Sequence, residues 1–556
     1  MLIIYLFLWP EFFGMRFNLI LFAISMLILR ANAQEHGFEW AQQCGNPSNT
    51  TDARTTLASM DNGQFFLAGD FLDTVQFNDK LLVSAGGTDV FLAKMNADGT
   101  PVWSVRIGGN DYDFVQNIVA DDDGNVCLAG YFYGTIQVGT DQYTSYGSQD
   151  LFMARYSPDG NFLCSARLGG PMADYVKGLA TDSGGNAVLA GHFYDSIMIG
   201  DTTITAVHGS DVFTAKFGSN GDVMWIAAAG GSSSDQANSI SVDPDDNIII
   251  VNSFYYDITF GDTTITTENP VGVAIAKYDP DGQLSGVFQL DGTYLTTENY
   301  IETGEGGDFY ITGDFSGTIV FGDKTFNAGE FNQDIYTAKY NAGMELQWAR
   351  HGHSPGSDQV IGLVTDPNDD VFIVGHYLDT IFFDNLKLRY NLCCGSREIF
   401  VVKYDAGGTV QWGEQITGTR ANVRAVSVNP GGEMILSGMF TEELNFGPLT
   451  LSNFEHYRNY IACLNTGLVA GVTDVHSRCH LIIYPNPSNS RLFIGFGDAI
   501  SWLHYFIYAM NGSLTLEGIA ISPATIDISS IPEGQYLIRL TGKNNQPAES
   551  QKFIKY

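Results

Sequence analysis

Residues 107–132 read IGGNDYDFVQNIVADDDGNVCLAGYF, and variants of this pattern occur seven times along the chain. One position near its end marks every copy: Gly69, Gly130, Gly191, Asn252, Gly313, Gly375 and Gly438. The steps between these positions are 61, 61, 61, 61, 62 and 63 residues. Such a constant period indicates one supersecondary unit that buries its apolar face against the neighbouring copies.

Each copy is a series of short apolar or alternating runs bounded by Asp, Gly, Pro or Asn. In the second copy the runs are Val115 to Asp121, Val126 to Phe132 and Asp150 to Tyr156. They predict strands joined by tight turns, and no part of the repeats has a helical period. A further hairpin around Gly139 is expected to project between the second and third strands.

The ends of the repeat region decide between an open solenoid and a closed ring. A tryptophan opens the fourth strand in four copies: Trp103, Trp225, Trp348 and Trp412. The last copy lacks this strand, whereas an unattached one lies around Trp40, before the first copy. We therefore predict an all-β protein in which residues 34–467 form a seven-bladed β-propeller, closed when the N-terminal strand pairs with the last sheet near Cys463.

The N-terminal segment has the pattern of a secretory signal peptide over residues 1–33. An apolar run at 19–29 follows Arg16 and precedes Ala31-Asn32-Ala33, a typical cleavage site. The run is shorter than the roughly 20 residues that span a membrane, so no transmembrane segment is expected after cleavage. Met15 is a second candidate start, and a retained membrane anchor is the alternative to cleavage.

After a linker over residues 468–480, short runs with Pro and Gly turns predict a small β-sandwich over residues 481–556. Its spaced motifs contain these residues: Tyr484, Pro485, Asn486, Pro487, Gly512, Gly534, Tyr536 and Lys552. The segment resembles the C-terminal sorting domain of the type IX secretion system of Bacteroidetes. The resemblance implies a secreted or cell-surface protein that passes through Sec, is handled by the type IX secretion machinery and usually loses its sorting domain.

The repeats themselves resemble bacterial β-propeller repeats of the SBBP type. The residues of the second copy that match this pattern are Trp103, Gly108, Gly109, Asp113, Asp121, Gly124, Asn125 and Gly130. The resemblance covers the whole repeat region, but it implies a fold only, since these repeats have no single activity.

Composition excludes two kinds of partner. The 556 residues include 62 acidic and 27 basic side chains, a formal charge of −35. Nucleic acids and anionic membranes are bound by basic faces, so neither is an expected partner. The seven cysteines suggest no disulfide framework, and several occupy apolar strand positions, which favours core residues.

An aspartate precedes the marker position by seventeen residues in five copies: Asp52, Asp113, Asp174, Asp235 and Asp358. Thr296 and Ala421 break the series. In a closed ring these carboxylates would surround one mouth of the central channel, where they could bind a cation. The favoured alternative is that each aspartate caps the preceding Gly-Gly turn by accepting backbone N–H bonds.

The residue after the marker position varies where its neighbours repeat. In chain order it is Asp70, Tyr131, His192, Ser253, Asp314, His376 and Met439. Two histidines and two aspartates are capable of metal or acid–base chemistry. Because they are spread over four copies, we expect strand-end residues that face solvent instead.

Three acidic turns have the alternating oxygen spacing of calcium loops: Asp121 to Asn125, Asp243 to Asn247 and Asp366 to Asp370. None has the sixth-position Gly and twelfth-position Glu of an EF-hand. Hairpin turns favour the same residues. Calcium is therefore a minor alternative, and no metal or cofactor is expected.

The sequence contains no nucleophile-elbow, zinc-protease or phosphate-loop motif. We expect a non-catalytic binding or adhesion protein whose variable loops contact a surface glycan, a protein or a neighbouring cell. Those loops are Thr140 to Gln149, Asp201 to Ser210 and Lys387 to Arg397. The alternative is a carbohydrate-active or other hydrolytic enzyme with a site at the channel mouth, for which stacking aromatic residues beside paired carboxylates would be diagnostic.

Overall fold

The computed structural model of the protein describes residues 36–48, 54–390, 397–418, 420–467, 482–484, 491–495, 503–509, 513–520, 524–541 and 547–555. Within these ranges every regular element is a β-strand, and the strands pair antiparallel. The predicted all-β class is confirmed. The chain divides into two compact units, Met1–Leu468 and Val469–Tyr556. The predicted signal peptide and linker lie outside the described residues.

The strands of the repeat unit follow the predicted series. The strand before the repeats and those of the first three repeats are β1 (Gly37–Ser48), β2 (Thr55–Ser59), β3 (Phe65–Phe71), β4 (Thr74–Phe77), β5 (Lys80–Val83), β6 (Asp89–Met95), β7 (Pro101–Gly109), β8 (Asp113–Ala120), β9 (Val126–Val138), β10 (Asp141–Tyr156), β11 (Phe162–Gly169), β12 (Asp174–Thr181), β13 (Ala187–Ile199), β14 (Thr202–Phe217) and β15 (Val223–Gly230).

The later repeats continue the series without a change of pattern. Their strands are β16 (Asp235–Val242), β17 (Ile248–Phe254), β18 (Asp257–Phe260), β19 (Thr263–Thr266), β20 (Gly272–Tyr278), β21 (Leu284–Thr303), β22 (Phe309–Phe321), β23 (Lys324–Tyr340), β24 (Leu346–His353), β25 (Gln359–Thr365), β26 (Val371–Tyr377), β27 (Ile381–Phe383), β28 (Leu386–Leu388), β29 (Glu398–Tyr404), β30 (Val410–Gly418), β31 (Asn422–Val428), β32 (Glu433–Phe446) and β33 (Leu449–Asn465). The long β21 serves two repeats, as the last strand of the fourth and the first of the fifth.

The turn between the first two strands of a repeat follows from its Asp and Gly residues. In the second repeat the Asp121 side chain accepts a hydrogen bond from the Asn125 N–H at 2.8 Å. The Gly124 N–H donates to the Asp121 carbonyl at 2.8 Å. Gly124 has a φ of +74°, a conformation that glycine adopts without a steric penalty. The chain therefore reverses tightly, and the second strand pairs with the first.

The second and third strands of each repeat form the core. All seven residues of β3 and of β6 are buried, because neighbouring repeats cover both of their faces. The hydrophobic clusters lie between consecutive repeats, as where Phe66 of the first repeat and Phe152 of the second share one cluster. Each fully buried side chain of this size contributes about 1.5–3 kcal/mol of transfer free energy.

The tryptophans of the fourth strands also link consecutive repeats. Trp103 Nε1 donates to the Pro158 carbonyl of the next repeat at 2.9 Å. Trp225 Nε1 makes the same bond to the Pro280 carbonyl at 3.0 Å. A buried indole N–H thus finds a partner while its ring packs between two sheets.

The N-terminal strand β1 pairs antiparallel with β33, the third strand of the last repeat, with Trp40 opposite Cys463. This pairing was predicted from the unattached strand, and it is confirmed. Trp40 Nε1 donates to the Ala97 carbonyl of the first repeat at 3.0 Å, the bond that Trp103, Trp225 and Trp348 make to the repeat that follows them.

The extra hairpin turns around Gly139 between the second and third strands, as predicted, with Val138 opposite Asp141. In the second repeat it is a continuation of β9 and β10, and its residues pair with the last strand of the preceding repeat, with Gln137 opposite Gly108. The predicted variable loops at 140–149 and 201–210 lie largely within strands β10 and β14. The polar residues of these segments predict loops, but their alternation is also the pattern of a strand with one covered face.

The third predicted loop, Lys387 to Arg397, begins in strand β28 (Leu386–Leu388). Residues 391–396 lie outside the described residues. None of the three predicted loops is therefore a loop over the whole of its described length.

The C-terminal unit contains strands β34 (Ile482–Tyr484), β35 (Arg491–Gly495), β36 (Leu503–Ala509), β37 (Leu514–Ala520), β38 (Ala524–Asp527), β39 (Gly534–Thr541) and β40 (Pro547–Lys555). They form two sheets, ordered β34-β35-β38 and β37-β36-β39-β40. The buried Tyr536 donates through its hydroxyl to the Pro532 carbonyl at 2.8 Å.

The motif residues of this unit fall partly on its strands. Tyr484, Gly534, Tyr536 and Lys552 lie in strands, whereas Pro485, Asn486, Pro487 and Gly512 lie outside the described residues. In the part of the chain that the structure describes, no helix is long and apolar enough to cross a membrane.

Candidate functional site

Four of the five predicted ring aspartates are completely buried: Asp113, Asp174, Asp235 and Asp358. The fifth, Asp52, lies outside the described residues. Asp113 Oδ2 accepts the Gly109 N–H at 2.6 Å, and Asp174 Oδ2 accepts the Gly170 N–H at 2.8 Å. For these two residues the turn-capping alternative is confirmed. Cation binding by the series stays a prediction.

Burial controls the protonation of these carboxyls. Loss of solvent raises the pKa of Asp113, Asp174, Asp235 and Asp358 to about 8 in each case. A second buried carboxyl of the preceding repeat adds to the shift, as Asp89 does beside Asp113. The side chains are therefore protonated at neutral pH, a form that binds cations poorly.

The acidic turns at one end of the first strands line a cavity of about 360 Å³, which we call the turn cavity. Its recurring aspartates are engaged by the cationic residue of the third strand. Asp182 pairs with Lys216 at 2.8 Å, and both side chains are almost fully buried. The same pair recurs between Asp243 and Lys277 at 2.8 Å.

These ion pairs occupy the oxygens that a calcium ion would need. Asp121 likewise pairs with Arg155, and Asp366 pairs with Lys403 at 3.3 Å. Among the described residues, no group of three His, Cys, Asp or Glu side chains is placed to hold a metal ion. The recurring aspartates of the turn cavity are thus neutralised by ion pairs with third-strand lysines.

A second cavity, of about 280 Å³, opens along the same first strands away from the turns, and we call it the first-strand cavity. It is lined by residues of all seven repeats: Thr55, Thr56, Leu57, Gln116, Asn117, Lys177, Asn238, Thr297, Glu298, Asn299, Tyr300, Ile361, Gly362, Leu363, Arg424, Ala425 and Val426. The residue type at the lining positions changes from repeat to repeat, whereas the aspartates of the turn cavity recur.

A β-bulge exposes the variable residue in five repeats. In the second repeat the register shifts between Val115 and Asn117, so Gln116 is left out of the ladder and lines the cavity. The same shift releases Lys177 in the third repeat and Arg424 in the seventh. Bulges commonly redirect a side chain toward a site.

These bulged positions were not among the predicted site residues, although the sequence carries a signal for them. Fourteen residues before the marker position, the repeats have Thr55, Gln116, Lys177, Asn238, Asn299, Ile361 and Arg424. This position is polar in some copies, cationic in others and apolar in one, whereas the position just before it is apolar in most copies. The change of residue type at one position of a repeated strand was therefore the sequence signal for this cavity lining.

The residues after the marker position were predicted to face solvent, and that prediction is wrong. Asp70, His192, Ser253, Asp314, His376 and Met439 are buried, and Tyr131 is half-buried. Asp70 Oδ1 accepts the Val115 N–H of the next repeat at 2.8 Å, and His376 Nε2 accepts the Val423 N–H at 3.1 Å.

These contacts position the bulges. Each accepted N–H belongs to the residue just before a bulged side chain, so the buried polar groups fix where Gln116 and Arg424 lie. Burial raises the pKa of Asp70 to about 7 and lowers the pKa of His376 to about 3. His376 is therefore a neutral acceptor at physiological pH.

An aromatic cluster adjoins the cavity, and we call it the aromatic platform: Tyr112, Phe114, Tyr131 and Tyr133. The Tyr112 and Phe114 rings are stacked at 6.5 Å, and those of Phe114 and Tyr131 lie 5.0 Å apart. Arg54 joins the platform to the cavity, because its guanidinium lies 5.2 Å from the Tyr131 ring centre and donates to Gln116 Oε1 at 2.9 Å.

Comparison with known proteins identifies the C-terminal segment. Residues 482–556 match the family described as secretion system C-terminal sorting domain. The sorting domain indicates secretion through the type IX system, and hence interaction with its machinery, to the cell surface or the extracellular space. The predicted localisation is confirmed.

The chain also has a more distant relative. An uncharacterized WD repeat-containing protein of Acanthamoeba polyphaga mimivirus is 26% identical over 199 residues, which cover 30% of this chain and 14% of the relative. The chain thus spans a small fraction of the length of the curated relative that it matches.

Two solved structures illustrate the structural likenesses. A protein of unknown function from Dyadobacter fermentans is 10% identical, with a TM-score of 0.37 and coverage of 78% of this chain and 100% of that one. An ulvan lyase of polysaccharide lyase family PL25 is 12% identical, with a TM-score of 0.37 and coverage of 73% and 93%. TM-scores this low carry no argument about this chain.

Proposed function

We propose that residues 34–467 form a closed seven-bladed β-propeller of SBBP-type repeats that is exported after cleavage of a signal peptide over residues 1–33. The contacts between the last and first repeats support closure. Thr55 Oγ1 lies 3.0 Å from Ser437 Oγ, and Leu57 and Phe65 share a hydrophobic cluster with Ile461. These contacts are of the same kind as those between consecutive repeats.

Removal of residues 36–44 tests the closure. The truncated chain loses the partner of β33 and exposes its edge, so we expect a loss of cooperative unfolding and a tendency to associate. Calorimetry and light scattering measure both effects. A truncated protein that unfolds cooperatively at an unchanged temperature would contradict the closed ring.

We infer that the exported protein is a non-catalytic binding or adhesion scaffold that recognises a surface glycan or protein. The observation that carries this function is the split between the two cavities. The repeating carboxylates are used by the fold, whereas the variable polar residues collect on the lining of the first-strand cavity. Variation on a constant scaffold is typical of a recognition surface.

The hydrolase alternative has less support. A glycosidase needs two carboxyl groups on either side of the bond, about 5–9.5 Å apart. Of the described residues that line the first-strand cavity, Glu298 is the sole carboxylate. The nearby Asp314 is buried and accepts the Val360 N–H at 2.8 Å, which commits it to the link between repeats.

A paired assay separates the two functions. The full exported chain is applied to glycan and protein arrays and, in parallel, to a broad panel of glycosidase, lyase and esterase substrates. Stable capture without turnover is the expected outcome. Turnover that is lost in Glu298→Gln, with no stable capture, would reverse the order of the two functions.

A further inference from the structure

We propose that the first-strand cavity and the aromatic platform bind an acidic saccharide, a sugar chain that carries carboxylate or sulfate groups. The inference rests on the proposed binding function and names the ligand class of that site. Charge, exposed aromatic surface and the size of the cavity each support it independently.

The charge of the cavity opposes that of the protein. The chain has more than two acidic residues for each basic one, 62 against 27. The cavity lining reverses this ratio, with Lys177 and Arg424 against Glu298, and Arg54 lies beside them on Gln116. A local cationic site on an acidic surface attracts anions and disfavours further cations.

Burial weakens the opposing charge of the carboxyls behind the cavity. It raises the pKa of Asp314 well above its ordinary value, which favours the neutral form. The pKa of Asp70, beside Arg54 and Arg424, is raised to about 7, so this carboxyl offsets their charge only in part at neutral pH. Lys177 makes no hydrogen bond or ion pair within the part of the chain that the structure describes. Its ammonium group is thus available for a ligand, unlike the buried lysines of the third strands.

The aromatic platform supplies the surface that a sugar ring would cover. Tyr112 is 53% exposed, and its ring is nearly parallel to that of Phe114, at 7°. Phe114 precedes the lining residue Gln116 by two positions, so the platform and the cavity share strand β8. Aromatic faces pack on the C–H faces of pyranose rings while the tyrosine hydroxyls stay hydrated.

The cavity is small and polar. At about 280 Å³ it lies near the lower end of the roughly 300–1,000 Å³ usual for ligand pockets. It can hold one charged sugar unit next to the amides of Gln116 and Asn238, while further units extend over the platform. The geometry therefore points to a chain of sugars and not to a compact apolar ligand.

The first test compares sugar chains of similar length that differ mainly in charge. A tetrasaccharide of galacturonic acid, its methyl ester and a sulfated tetrasaccharide are titrated calorimetrically into the full exported chain. We expect the acid or the sulfated sugar to bind at least about tenfold more tightly than the ester. Binding should also weaken as the ionic strength rises from about 0.05 to 0.5 M.

The second test uses variants with opposite expected signs. Lys177→Ala should weaken binding about ten- to a hundredfold, because one charge-assisted contact is lost. Glu298→Gln should strengthen it severalfold, a gain that a purely structural role would not produce. Tyr112→Ala should weaken binding of acid and ester alike. Lys324→Ala, at an exposed lysine of β23 outside the cavity, is the matched control and should leave the affinity unchanged.

The outcomes separate this inference from the proposed function. Equal affinity for acid and ester, no effect of Lys177→Ala, or tighter binding of a single-stranded oligonucleotide would overturn the acidic saccharide. Capture of neutral glycans or proteins only would overturn it too, while the binding function would stand. If the arrays capture nothing, the proposed function fails as well.

Discussion

The turn cavity and the first-strand cavity lie toward opposite ends of the same first strands, and they use charge in different ways. At the turn cavity the aspartates recur from repeat to repeat, and residues such as Asp182 are paired with a buried lysine. At the first-strand cavity the residue type changes from strand to strand, and Lys177 has no such partner among the described residues. The repeated aspartates of the turn cavity hold the fold, and the proposed ligand site lies where the first-strand residue varies.

Replacing a lysine by methionine should have very different effects on stability at the two ends of the third repeat. Lys216→Met removes the partner of Asp182 and leaves a carboxylate buried, so we expect a loss of about 3–5 kcal/mol in the free energy of unfolding. Lys177→Met should change stability by no more than about 0.5 kcal/mol. Denaturant unfolding measures both. Similar losses in the two variants would erase the proposed distinction between the ends.

The buried aspartates predict a pH dependence of stability. The pKa of each of the four is raised by burial to about 8, whereas in the unfolded chain it is near 3.9. The folded state therefore holds protons that the unfolded state releases, and stability falls as pH rises from about 4 through 8. Between pH 6.5 and 8.5, where unfolded histidines are mostly neutral, we expect the melting temperature to fall by a few degrees.

Asp113→Asn combined with Asp174→Asn isolates this effect. The amide oxygens can still accept the N–H groups of Gly109 and Gly170, but they release no proton. The double variant should therefore show a shallower decline over the same range. An unchanged slope would mean that these carboxyls are ionised in the folded protein, which would favour the cation-binding alternative.

Calcium should have the smallest effect. Because Asp121, Asp243 and Asp366 are held by Arg155, Lys277 and Lys403, neither millimolar calcium nor EGTA is expected to move the melting temperature. A reproducible rise of several degrees with calcium would show that the turn cavity accepts a ligand after all.

The strand order of the repeats and the partner of the first strand were predictable from the sequence, because both depend on short-range patterns. Asp and Gly turns fix where strands end, and a missing tryptophan strand at one end matches a surplus one around Trp40.

The lining of the first-strand cavity was less predictable, for physical reasons. A bulge shifts the register by one residue without altering the apolar pattern around it, so nothing in the period shows that Gln116 or Lys177 turns into a cavity. The burial of Asp70 and His376 depends on the neighbouring repeat, whose N–H groups they accept. Such contacts form only when consecutive repeats pack together, so they cannot be inferred from the sequence pattern of a single repeat.

The pairing of β1 with β33 has a consequence for biosynthesis. Asn465 Nδ2 donates to Glu39 Oε1 across 426 sequence positions, so the strand that is made first acquires its partner only after the whole repeat array has been translated. Contacts this distant in sequence slow folding, and a waiting edge strand is open to pairing with other chains. Until β33 is made, the edge of β1 that it covers has no partner in the sheet.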